Sequence, residues 1–264
     1  MHARSALFDL LGDHVRPRGG QAPVAALVRL LGPLDVSAPA VRTAVSRMVR
    51  QGWLTPVRTA TGPGYAITAR ARARLDDAAR RIYRTADAPW DGCWDLVVLP
   101  PVQSRAARDR LRASLGFLGY ALLGGGTWVA ARAVPELEAT VAAEKVSVHR
   151  FRSTSVGDPA ALARTVWDLD WLATAYDGWQ QQAEQWIQAA GDGADDESRF
   201  ALRSQLVHEW RKFLFRDPGL PAALLPADWP GHAAAAFFDR EQLRLAPAAG
   251  RFVDACLDRR GGPA

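Results

Sequence analysis

Five polar side chains share one side of the segment Ala40–Arg50: Arg42, Thr43, Ser46, Arg47 and Arg50. At the helical period Thr43, Arg47 and Arg50 form one stripe and Arg42 and Ser46 another, while Val41, Ala44, Val45 and Met48 fall on the opposite face. A guanidinium can donate two hydrogen bonds to the N7 and O6 of a guanine, and Ser or Thr hydroxyls serve base edges or phosphates. The major groove of DNA admits one helix with such an outward face. Arg16 and Arg18 precede the neighbouring helical segment and are expected to clamp phosphates. Arg58, with Thr59 and Tyr65 in the stretch that follows, is expected at phosphate or in the minor groove. Each arginine alone would fit a solvated helix face equally well. What makes the set informative is its agreement with the order of elements and with the distribution of charge.

Catalytic constellations do not assemble. His208-Glu209 would begin a zinc-peptidase motif, but the second histidine that motif requires falls on Lys212. Cys93 and Cys256 cannot make a four-ligand zinc site by themselves, and His149 and His232 are isolated. No nucleophile elbow, Walker loop or dinucleotide fingerprint occurs, and Gly124-Gly125-Gly126 reads as a hairpin turn. No catalytic residue, metal site or cofactor is expected. Two distant cysteines fit a reducing cytoplasm. The N-terminus lacks the apolar core of a signal peptide, and no apolar run is long enough for a membrane helix.

The elements that must carry these residues follow from periodicity. Ser5 to Val15 reads as a helix broken at Arg16-Pro17-Arg18-Gly19-Gly20, and Pro23 to Leu31 as a second, stopped by Gly32-Pro33. Ser37 is placed to cap a third, from Ala38 to about Gln51, with Gly52 as its C-terminal stop. Trp53–Arg58 and Tyr65–Ile67 read as strands around the turn Thr61-Gly62-Pro63-Gly64, and Thr68 caps a helix through Leu75 to Tyr83. Three helices, a hairpin and a linking helix is the order of a winged helix-turn-helix. Charge agrees: residues 1–85 hold 14 arginines against 5 acids, net +9, whereas the other 179 residues are net −4. A basic module on a mildly acidic chain implies a polyanionic partner at that end.

After a linker, Ala86 to Gly92, the pattern changes. Strands are expected at Cys93–Leu99, Phe117–Leu123, Thr127–Ala131 and Val146–Phe151, with helices at Ser104–Leu115 and Pro135–Glu144. This β-α-β-β-α-β order is that of a ferredoxin-like module. From Pro159 the chain reads as helical. Leu169, Leu172, Tyr176, Trp179, Ala183 and Trp186 mark one helix, Phe200 to Leu214 another, and Ala233 to Leu243 a last one before a disordered tail from Arg259. The fold class is therefore α+β and multidomain: a winged helix-turn-helix over 1–85, a ferredoxin-like module over 86–155 and an all-α domain over 156–264.

Three blocks resemble the PaaX-type repressors of phenylacetic acid catabolism. The first is Gly12-Asp13-His14-Val15-Arg16-Pro17-Arg18-Gly19-Gly20 together with Val41–Val49 and Gly52-Trp53-Leu54. The second is Arg80-Arg81-Ile82-Tyr83 leading to Trp90-Asp91-Gly92. The third is Leu206-Val207-His208-Glu209-Trp210-Arg211-Lys212-Phe213-Leu214, continuing through Arg216-Asp217-Pro218 to Trp229-Pro230-Gly231. The resemblance spans nearly the whole chain. It implies a Cas2-like central module, a C-terminal effector and dimerisation domain, and a homodimer on a partly palindromic DNA operator. It also implies release from DNA by an aryl-CoA thioester such as phenylacetyl-CoA.

Six of the ten tryptophans lie in the C-terminal segment, a stripe that usually means core or dimer interface. For an aryl-CoA the matching residues are Trp167 and Trp171 with the cations Arg203, His208, Arg211, Lys212 and Arg216, since its phosphates require Arg or Lys. A solvated face is the plainer reading of those charges, and the junction between the middle and C-terminal domains is another place for a cleft. The Cas2-like character raises a metal-dependent nuclease as an alternative. However, the first strand ends Val97-Val98-Leu99-Pro100-Pro101, without the aspartate such nucleases place there, and Asp95 falls inside the strand. The remaining alternatives are a CoA-thioester enzyme and a winged-helix protein-interaction module.

Overall fold

The computed structural model describes residues 1–82, 89–191 and 193–258. Tyr83, linker residues 86–88 and the tail from Arg259 lie outside them. The protein is a mixed α+β chain with two antiparallel sheets. By packing it forms two compact units. The first comprises Met1–Thr85, Trp179–Arg211 and Ala234–Ala264; the second comprises Ala86–Gly178 and Lys212–Ala233. The sequence division into three consecutive segments thus coexists with a packing in which the C-terminal segment contributes to both units.

In the first unit, α1 (Ala3–Leu10) widens into a π turn over Leu11–Val15 and a short 3-10 turn over Arg16–Arg18. Pro17 has no N–H to continue the ladder, so the helix ends there. Gly19 and Gly20, at φ +87° and +77°, reverse the chain, and the Gly20 N–H returns to the Val15 carbonyl (2.9 Å). There follow β1 (Gln21–Pro23), α2 (Val24–Leu31), α3 (Ala38–Arg50), β2 (Leu54–Thr59), β3 (Gly62–Ile67) and α4 (Ala69–Ile82). The sheet order is β1-β3-β2.

Two local expectations are corrected. Residues Gln21–Pro23 pair with β3 as a third strand, which a three-residue segment containing proline does not announce. The hairpin turn falls at Ala60-Thr61, so Gly62 and Gly64 belong to β3. Gly64 pairs with Pro23 on one side and Val57 on the other, and the Ala22 carbonyl approaches so closely that a Cβ would collide with it.

Leu7, Leu27, Leu30, Leu31, Val41 and Val45 fill the core of this unit, each 2% exposed or less. Burial of such a side chain contributes about 1.5–3 kcal/mol. The same core takes Phe200 from α9 (Asp196–Trp210) and Ala249, Val253 and Cys256 from α10 (Pro230–Asp258). The last helix runs 15 residues beyond the Leu243 expected from sequence. Pro247 lies inside it without stopping it, because Leu245, Ala248, Ala249 and Val253 are all buried. A second aromatic cluster in this unit stacks Trp210 on Phe238 (4.8 Å, 10°) with Trp179 4.8 Å from Trp210. These stripe tryptophans are therefore core.

In the second unit, β4 (Trp94–Val98), α5 (Arg105–Phe117), β5 (Ala121–Gly124), β6 (Thr127–Ala130), α6 (Leu137–Ala143) and β7 (His149–Ser153) follow the expected order. Their sheet is arranged β5-β6-β4-β7, all antiparallel. Phe117, expected in a strand, ends α5 instead. Val97, Leu111, Leu115, Trp128 and Leu137 form the core between this sheet and its helices. α7 (Pro159–Val166) and the first part of α8 (Leu169–Ala190) complete the unit, with Tyr176 stacked on Phe213 (4.2 Å, 9°) and in edge contact with Trp229.

Candidate nucleic-acid interface

α3 is bounded as its sequence requires. Ser37 occupies the N-cap position in extended conformation, although its hydroxyl makes no capping bond. Gly52, at φ +71°, ends the helix in paired turns: its N–H reaches the Val49 carbonyl and the Trp53 N–H reaches that of Met48, both at 2.9 Å. Val41, Ala44, Val45 and Met48 are buried against the three-helix core, which fixes the rotation of the helix about its axis. Arg42, Thr43, Ser46, Arg47 and Arg50 are consequently all exposed. Among the described residues no ion pair holds Arg42, Arg47 or Arg50. Arg58 is exposed on β2, opposite Pro63 and one residue from the end of the strand, again without an ion pair among the described residues.

Arg16 and Arg18 are placed differently from the phosphate clamps expected of them. Arg16 is bound to Asp76 of α4 and donates to the Gly12 carbonyl (3.2 Å). Arg18 pairs with Asp254 of α10 (2.7 Å) and donates to the His14 carbonyl (3.2 Å). Both are half-buried and join segments within the unit. Two cations that sequence reasoning passed over are exposed here. Arg4 donates to Gln51 (3.1 Å) at the C-terminal end of α3, and Arg70 lies over the Trp53 ring (5.4 Å). The Arg-Ala-Arg-Ala-Arg run of α4 was the available signal for Arg70.

The second constellation is divided between the two units. Arg203, His208 and Arg211 belong to the first unit, whereas Trp167, Trp171, Lys212 and Arg216 belong to the second. Arg203 is 8% exposed; it binds Asp13 (3.1 Å) and the Gln242 carbonyl and side chain (3.2 Å each). His208 Nδ1 meets the Asp9 carboxylate at 2.7 Å, and Arg211 is ion-paired with the same Asp9 while lying over the Phe8 ring (5.2 Å). These three side chains face acids on the first helix and its π turn. His14 completes the cluster, tilted against Phe200 (5.2 Å) and 3.4 Å from Arg203 Nη1. Burial pulls its pKa from 6.5 down to about 4, Arg203 and Arg18 lowering it further against the raising effect of Asp13. The ring is therefore neutral at pH 7, and its Nε2 can accept from Arg203.

In the second unit Arg216 lies over Trp171 (5.2 Å), and both are exposed, as is Lys212. Trp167 is half-buried and stacks on Trp94 (6.1 Å, 20°). Asp95 sits inside β4, buried, accepting from Arg150 (2.8 and 3.0 Å) and from the Tyr120 hydroxyl. Its oxygens are thus engaged by a guanidinium and a phenol. Among the described residues, no group of three or more His, Cys, Asp or Glu is arranged to hold a metal ion. No helix among them is long and apolar enough to cross a membrane.

Residues 2–71 match the PaaX-like protein family, residues 87–163 the PaaX protein central Cas2-like domain, and residues 167–255 the PaaX-like protein C-terminal domain. The Transcriptional repressor PaaX of Escherichia coli is 28% identical over 270 residues, covering 94% of this chain and 82% of the relative. A solved structure of an uncharacterized protein from Mycobacterium tuberculosis is similar at a TM-score of 0.63 and 27% identity, over 96% of this chain and 98% of that one. With family matches reaching from residue 2 to residue 255, this chain belongs to the PaaX-like family.

Proposed function

We propose that this protein is a ligand-responsive transcriptional repressor that reads an operator through a winged helix-turn-helix in its first unit. The observation that carries this reading is the exposed face of α3. Arg42, Thr43, Ser46, Arg47 and Arg50 stand outward together, and the three arginines have no ion-pair partner among the described residues. α3 is the recognition helix, α2 the preceding helix of the motif, and the β2–β3 hairpin the wing that carries Arg58 toward the backbone. Residues 1–85 read DNA, 86–155 form the ferredoxin-like module, and 156–264 serve effector response and dimerisation. A homodimer places two copies of α3 in successive major grooves, about 34 Å apart on a partly palindromic site. The similarity to a relative named as a transcriptional repressor supports the same direction of control.

The effector class is an aryl-CoA thioester, with phenylacetyl-CoA as the first compound to try. With Arg203, His208 and Arg211 engaged by Asp9 and Asp13, the exposed Trp171, Lys212 and Arg216 of the second unit are the better place to look for its contacts. Hundredfold relief of repression requires about 2.7 kcal/mol of differential affinity between the two conformations. The test is fluorescence anisotropy on DNA from upstream of the coding sequence, with and without phenylacetyl-CoA. The expected result is tight, salt-dependent binding that the thioester weakens. Absence of binding at low salt would leave the motif as a protein-interaction module. Binding that ignores the thioester would keep the operator reading and remove the effector.

A further inference from the structure

The C-terminal end of α8, the start of α9 and the middle of α10 enclose a half-open cavity of about 250 Å³ in the first unit. Its wall is shared about equally between polar surface and apolar surface from Ile187, Ala190, Ala194, Leu202 and Leu245. Its polar groups are Arg199, Arg244 and Glu241, one positive charge in excess. Glu241 is 7% exposed and bridges two guanidiniums: Arg244 Nε donates to Oε2 (2.7 Å) and Arg240 Nε to Oε1 (2.9 Å). Burial pushes this carboxyl upward, but the bonds from Arg244 and Arg240 hold it below the ordinary range, so it is ionised. Arg244 is half-exposed and held through Nε by Glu241, and its terminal nitrogens have no other partner among the described residues. A guanidinium whose two terminal nitrogens are both unengaged is suited to a carboxylate.

We propose that this cavity binds a small carboxylic acid with an apolar body, the carboxylate against Arg244 and the body among Ile187, Leu202 and Leu245. Size sets the class. A closed apolar cavity of about 150 Å³ holds benzene, and drug-sized sites begin near 300 Å³. The volume here suits one ring and a short acid arm, and excludes the nucleotide portion of a CoA thioester. The site is thus separate from the thioester contacts proposed for the second unit. It also lies on the helix that reaches the DNA-reading module. Residues 12 and 13 positions further along α10, Cys256 and Leu257, offer their carbonyls to Arg29 of α2 and Thr61 of the hairpin turn.

The experiment is isothermal titration of the full chain, without DNA, with phenylacetate and separately with its uncharged counterpart phenylacetamide. Ten non-hydrogen atoms at ordinary efficiency predict a Kd of about 0.1–1 mM for the acid. The amide should bind at least about tenfold more weakly. Ala194→Trp, which fills the cavity from its loop side, should abolish binding. Arg244→Gln should weaken it about tenfold or more. No saturation by phenylacetate at roughly ten times the expected range would overturn the proposal. So would binding that both variants retain, since the acid then sits elsewhere, or binding of acid and amide alike, since the carboxylate is then not recognised. Phenylacetyl-CoA titrated in parallel distinguishes the thioester: sensitivity of the thioester but not of the acid to Ala194→Trp also overturns the assignment. Operator binding is measured independently, so loss of the repressor reading leaves this result standing, and the reverse holds as well.

Discussion

α3 and α9 both present several basic side chains in the first unit, and in the sequence the two helices look alike. In the folded unit they differ in what faces them. The arginines of α3 meet solvent, because the acidic residues of the unit lie elsewhere and the apolar side of the helix is fully used by the core. Arg203 and His208 of α9, with Arg211 just beyond it, meet Asp13 and Asp9 at hydrogen-bonding or ion-pair distance and are largely screened from water. One set is available to a ligand and the other holds the fold together. A basic helix is a binding surface only where the rest of the chain has left its charges without counter-ions.

The sharpest way to break this comparison is Asp9→Ala. It leaves Arg211 and His208 facing a site without their carboxylate, and removal of one partner from a buried pair costs about 3–5 kcal/mol. Urea unfolding should show that loss. A change below about 1 kcal/mol, as for a surface pair, would erase the distinction between the two helices.

His14 gives the next largest effect, and its direction is fixed. Its pKa is about 4 in the fold against 6.5 when unfolded, so between those values the unfolded chain binds more protons. Stability should therefore fall as pH drops from 6.5 toward 4, by up to about 3 kcal/mol, and be insensitive to this group above 6.5. His14→Gln should flatten that limb of the stability–pH curve. An unchanged slope would assign the acid sensitivity to other groups.

Arg47→Ala sharpens the opposite side. Operator affinity should fall by about 1–3 kcal/mol relative to random DNA, while unfolding free energy changes by less than about 0.5 kcal/mol. Equal losses on both DNAs would make Arg47 a phosphate contact. Arg16→Ala carries the smallest effect: about 1 kcal/mol or less in stability from its partly exposed pair with Asp76, with operator affinity essentially kept. A uniform fall across all DNA sequences would show that the pair opens when DNA binds, restoring the clamp expected from sequence.

Much of the first module was legible because its signals are local. The bounds of α3 and the helical capping by Thr68 depend on residues within a few positions of one another. The acids that neutralise α9 lie about 190 residues away, beyond the reach of any periodicity. β1 was hidden because three residues with a proline become a strand only through β3. α10 runs beyond the Leu243 expected from sequence and through Pro247, because burial of its surroundings overrides the helix-breaking preference of proline. Asp95 was rightly located inside its strand, but its engagement by Arg150 and Tyr120 needed the sheet register that sets β7 beside β4.

The non-local core of the first unit has a genetic consequence. Ala249, Val253 and Cys256 are buried together with Leu7, Leu27 and Val45, so codons about 200 positions downstream of α3 complete the hydrophobic interior on which it rests. A fragment ending at residue 85 would expose that interior. Residues 1–85 are therefore not a cassette that can be excised or grafted onto another protein. A screen for loss of operator binding should return nonsense and frameshift alleles that leave every codon of α3 intact but delete the last three turns of α10.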